Sequence, residues 1–106
     1  MKSVFFGLFL LAVLAFMPAT ALAAGVPSFD ANAHCKEVPD FSGGNYVTEK
    51  GCRDMEAKAK TAVERMDVPA KIMNHCTEVA RISGGSYSVL RSCIQMEINA
   101  KQSLEN

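Results

Sequence analysis

The chain has no tryptophan, and four of its eight aromatic residues fall within the first 23 positions. That leaves Phe29, Phe41, Tyr46 and Tyr87 for any domain that follows. A core so poor in large side chains is marginal at this size and calls for covalent staples. Charge of one sign is equally lacking: 11 Lys and Arg face 11 Asp and Glu, interspersed along the chain. Such a balance leaves no electrostatic footprint for nucleic acid or for an anionic membrane. There is no C-x-x-C pair for thiol exchange and no C-x-x-C-H for haem attachment. Ser86 and Ser88 lie near a turn but outside any G-x-S-x-G elbow. Without a nucleophile, base and orienting group that can be placed together, the sequence predicts no enzyme and no cofactor.

What is present begins with an export pattern. Lys2 supplies a positive start, residues 4–17 an apolar run, and Ala21, Leu22 and Ala23 a small-x-small cleavage site, so residues 1–23 read as a cleaved secretion signal peptide. The apolar run is short for a membrane span, and no cysteine near the cleavage site points to a lipid anchor. Residues 24–106 are then a single domain in the periplasm or secreted, without membrane attachment after cleavage. Four cysteines exported to an oxidising compartment are expected to pair as disulfides.

The main organising feature is an internal repeat of 41 residues. His34, Cys35, Glu37, Val38, Ser42, Gly43, Gly44, Tyr46, Cys52, Met55, Glu56, Ala59 and Lys60 recur as His75, Cys76, Glu78, Val79, Ser83, Gly84, Gly85, Tyr87, Cys93, Met96, Glu97, Ala100 and Lys101. The repeats span roughly residues 30–66 and 68–104. In the second, Ile72, Cys76, Val79 and Ser83 follow one another at alternating four- and three-residue spacing, the signature of a helix. Asp67 is placed to cap that helix and Pro69 suits its first turn. Gly84 and Gly85 stop it, and Ser86 caps a further helix with Val89, Cys93, Met96 and Ala100 on one face, widened by Leu90, Ile94 and Ile98. In the first repeat, Pro39 should end or kink the leading helix near Val38, while Asn45 caps a long second helix. The expected helices are residues 31–38, 46–66, 69–83 and 86–104.

The turn fixes the cysteine pairing. Cys76 lies eight residues before Gly84 and Cys93 eight after Gly85. At about 1.5 Å per residue, both sit level on antiparallel helices, roughly 12 Å from the turn. The same spacing holds for Cys35 and Cys52, so the expected bridges are Cys35 to Cys52 and Cys76 to Cys93. The fold predicted is all-α: two tandem disulfide-stapled antiparallel helical hairpins packed as a small four-helix bundle. A dimer of open hairpins, in which each completes the other's core, is the alternative assembly. One cysteine per helix resembles the helical-hairpin modules in which two C-x9-C helices are clamped together, though with one bridge per hairpin. The resemblance extends to the clamp and carries no function.

The repeated polar residues have structural explanations. Glu56 with Lys60, and Glu97 with Lys101, form i, i+4 pairs expected on solvated faces. His75 and Glu78 point away from the bundle when Cys76 faces its partner helix, which disfavours a metal centre. Met55 and Met96 are expected as gap-fillers on the apolar stripe. His34, His75, Tyr46 and Tyr87 are not fully required by a hairpin, and they form the candidate interaction surface. The chain therefore reads as an interaction or structural module, monomeric or homodimeric, for an unknown envelope protein. Its alternative is a periplasmic copper or zinc binding protein using His34, His75 and Met73.

Overall fold

The computed structural model describes residues 25–42 and 45–106; the expected signal peptide lies outside them. Four helices follow in order, α1 (Ala31–Ser42), α2 (Tyr46–Glu64), α3 (Ala70–Ile82) and α4 (Tyr87–Glu105). The all-α hairpin architecture expected from the repeat is the one observed. Cys35 bridges Cys52 and Cys76 bridges Cys93, with Cα separations of 5.6 and 5.5 Å. Two such bonds place the protein in an oxidising, non-cytoplasmic environment. Among the described residues, no helix is long and apolar enough to cross a membrane.

The helix ends show which sequence signals acted. Asn45 caps α2, its Oδ1 accepting the Val47 N–H at 2.9 Å, and Ser86 Oγ accepts the Val89 N–H at 3.3 Å to cap α4. At the end of α3 the Gly85 N–H donates to the Ala80 carbonyl and the Gly84 N–H to that of Arg81. This six-to-one and five-to-two pairing is a Schellman motif. Gly84 and Gly85 have φ of +87° and +78°, which only glycine adopts cheaply. Two expectations fail. Asp67 does not cap α3; Pro69 occupies that position without a side-chain bond, and the Met73 N–H donating to its carbonyl closes the first turn. Nor does α1 end at Val38, for it runs through Pro39 to Ser42. Proline's φ is already helical and its ring removes a single backbone bond, a loss that so short a terminal stretch tolerates once the helix is bridged to α2.

Packing runs α1 on α2, α2 on α4, and α4 on α3, so the second helix of each repeat lies in the middle of the bundle. The core gathers Ala59 and Val63 from α2, Ile72, Met73, Cys76 and Ala80 from α3, and Tyr87, Leu90 and Ile94 from α4. Burial on α4 is deepest at Tyr87, Leu90 and Ile94, the last two expected beside the cysteine stripe, while Val89 and Cys93 of that stripe are partly buried. Met55 and Met96, expected in that stripe, are 64% and 71% exposed. The disulfide already faces each helix toward its hairpin partner, and the residues that meet the other hairpin lie about 100° further round.

Short links reverse the chain at each corner, so α2 and α4 run in the same direction. Glu56, midway along α2, meets the first residues of α4, while Ala59 and Val63 share the core with Leu90 and Ile94 further down. The two hairpins are thus displaced along the helices by about ten residues, roughly 15 Å. A twofold relation would bring Glu97 onto Tyr46 in the same chain. Instead Glu97 is at the surface, and Tyr46 is 85% exposed.

Candidate functional site

The junction between the repeats is built on a buried carboxylate. Glu56 is 2% exposed, and its Oε1 accepts the Ser86 hydroxyl at 2.7 Å and the Ser88 N–H at 3.3 Å. Its Oε2 accepts the Tyr87 N–H. One side chain from the first repeat therefore takes up the unpaired donors at the N-terminus of α4, where the helix dipole also favours negative charge. Burial, the largest single influence, pushes the Glu56 carboxyl up. The hydrogen bonds from Ser86, Tyr87 and Ser88 together outweigh it and hold the group below its ordinary value. The solvated pair with Lys60 expected from sequence is not formed; Lys60 Nζ lies over the Tyr87 ring, 5.7 Å from its centroid.

Tyr87 completes the junction. It is 2% exposed, and its ring packs against Phe29 at 5.1 Å between centroids. The phenol oxygen accepts the Phe29 N–H at 2.9 Å and donates to the Pro27 carbonyl at 3.1 Å, which fastens the segment before α1 to the second hairpin. The glycine corner is seated alongside. A Cβ at Gly84 would lie 3.4 Å from His34 Nδ1, and one at Gly85 would lie 3.5 Å from the Phe29 ring. The corner formed by Gly84, Gly85, Ser86 and Tyr87 is thus a knob held by the first hairpin.

The matching face of the second hairpin is open. Ile72, His75, Glu97, Ala100, Lys101 and Leu104 line a groove of about 550 Å³ between α3 and α4. Leu104 is 88% exposed. His75 Nε2 stands 4.0 Å from Glu97 Oε1, both side chains about half exposed. The Glu97–Lys101 pair expected from sequence is not formed, and Lys101 pairs with Glu105 at 3.2 Å instead.

Of the four candidate surface residues, His75 and Tyr46 are exposed, Tyr87 is buried in the junction and His34 is half-buried beside Gly84. The alternative metal set is dispersed. Met73 is in the core at 4% exposure, His75 is on the open groove, and His34 belongs to the other hairpin. Among the described residues, no group of three or more His, Cys, Asp or Glu side chains is placed to hold a metal ion. Sequence reasoning missed the role of Glu56. Its signal was present in the repeat: a glutamate four residues after each second cysteine, and a capping residue followed by a tyrosine at the start of each second helix. Compared with protein families, with characterised proteins and with solved structures, the chain matches none.

Proposed function

We propose that this protein is a structural or interaction module of the bacterial envelope, exported to the periplasm or beyond. Its open α3/α4 groove is the working surface. The observation that supports this reading is the groove itself, in which an exposed leucine and an alanine flank a histidine and a carboxylate. Exposed apolar surface rimmed by polar groups is the ordinary mark of a contact site. The Cys76–Cys93 disulfide ties together the two helices that wall the groove, so binding does not require the hairpin to be ordered first.

Site-specific photo-crosslinking in living cells tests it. A photoreactive residue at position 104 should give discrete cross-linked species in the periplasmic fraction, and one at exposed Lys58 should not. Cross-linking no greater at position 104 than at 58, or a protein retained in the cytoplasmic fraction, would overturn the reading.

A further inference from the structure

Six residues of the open groove are the counterparts of six that meet the second hairpin in the first repeat, while Phe29, which also holds the corner knob, corresponds to Ala70. Ala31, His34, Glu56, Ala59, Lys60 and Val63 become Ile72, His75, Glu97, Ala100, Lys101 and Leu104 on moving 41 positions along the chain. All six of the former are engaged by the second hairpin. Ala31, Ala59 and Val63 pack with the core, His34 borders Gly84, Glu56 caps α4 and Lys60 covers Tyr87. The latter six line the groove, with Ile72 at its floor as part of the core and the other five exposed. The knob also has a counterpart, since Asn45 and Tyr46 start α2 as Ser86 and Tyr87 start α4. Tyr46 and Val47 are 85% and 79% exposed.

Resting on the reading of the groove as a contact surface, we propose that its occupant is the Asn45–Tyr46 corner of a second copy of this chain. In that junction Glu97 accepts the first N–H groups of the neighbour's α2, as Glu56 does for α4. Tyr46 lies over Ile72 under Lys101, as Tyr87 does under Lys60. One copy carries one groove and one corner, and the two hairpins within it are related by displacement. The association is therefore head-to-tail and extends beyond a dimer unless it closes into a ring. It is also weaker than the internal junction. Where α4 presents Leu90 and Ile94, α2 presents Glu49 and Arg53, paired at 3.4 Å, so less apolar surface is buried between copies.

Sedimentation velocity of the purified oxidised protein over a concentration series tests this. Wild type is expected to gain mass with concentration past the dimer. Tyr46→Ala, which removes the corner, and Ala100→Arg, which blocks the groove, should each weaken association about tenfold or more. Both positions are exposed, so the fold is retained, and circular dichroism verifies it. Mixing the two variants leaves one intact corner and one intact groove, and should restore a species that stops at the dimer. A wild type that stays monomeric up to about 1 mM, near the weak end of measurable affinity, would overturn the proposal. So would variants that assemble as wild type does, or a mixture that restores nothing. If wild type is monomeric while position 104 still cross-links to a different envelope protein, the self-association fails and the contact surface stands.

Discussion

A carboxylate taken out of water is costly unless hydrogen bonds replace its hydration, and Glu56 receives three of them from Ser86, Tyr87 and Ser88. Glu56→Ala strips these donors of their acceptor within a buried junction. The expected loss is about 2 to 4 kcal/mol, measured by urea denaturation of the oxidised protein. Because the carboxyl is held below its ordinary value, the folded state binds its proton less readily than the unfolded chain does. Its contribution is therefore complete above the unfolded carboxylate range and is lost as pH falls through the lower folded value. Glu56→Gln should flatten this part of the acid-unfolding curve while leaving the region above about pH 6, well clear of carboxylate titration, with little slope from this site. Tyr87→Phe keeps the ring on Phe29 but abandons the Phe29 N–H and the Pro27 carbonyl. It should cost about 1 to 2 kcal/mol and speed amide exchange at Phe29.

The elements differ in how firmly each is tied. Helix α3 packs on α4 through the shared core and the Cys76–Cys93 bridge, whereas α1 rests on α2 and is bridged to it by Cys35–Cys52. Replacing Cys76 and Cys93 by serine should therefore lower global stability by about 2 to 5 kcal/mol. Replacing Cys35 and Cys52 should instead open α1 locally, seen as fast hydrogen exchange confined to that helix while α3 and α4 keep their protection. The Schellman corner gives a sharper test. Gly84→Ala forces a side chain into φ +87° and brings its Cβ near the His34 ring, with an expected loss of about 1 to 2 kcal/mol in thermal or urea unfolding. At this scale the sequence was mostly legible, because caps and glycine stops act within a few residues of themselves. Asn45, Ser86 and the Gly84–Gly85 pair sit where their local chemistry places them. Pro39 misled because its penalty is a local bond that tertiary attachment of α1 can offset, and Asp67 because Pro69 takes the cap position and α3 starts only at Ala70.

At the scale of the molecule, a 41-residue repeat, four paired cysteines and a small charge-balanced composition determined most of the construction. They fixed helical hairpins, the two bridges and the near absence of aromatic core, because hairpin geometry depends on spacing counted along one chain. Periodicity alone did not say which face of α2 and α4 meets the other hairpin. Met55 and Met96 share the spacing of a core stripe yet lie outside, since the disulfide and the second hairpin occupy different sides of the same helix. Nor did the repeat say how its two units relate. Identical motifs are compatible with a twofold pair or with a displaced one, and only the tertiary structure chose displacement, burying Glu56 and Tyr87 while leaving Glu97 and Tyr46 at the surface. The physical reason is that the environment of a repeated residue is set by its neighbour across the junction. Between two such units that neighbour is provided once.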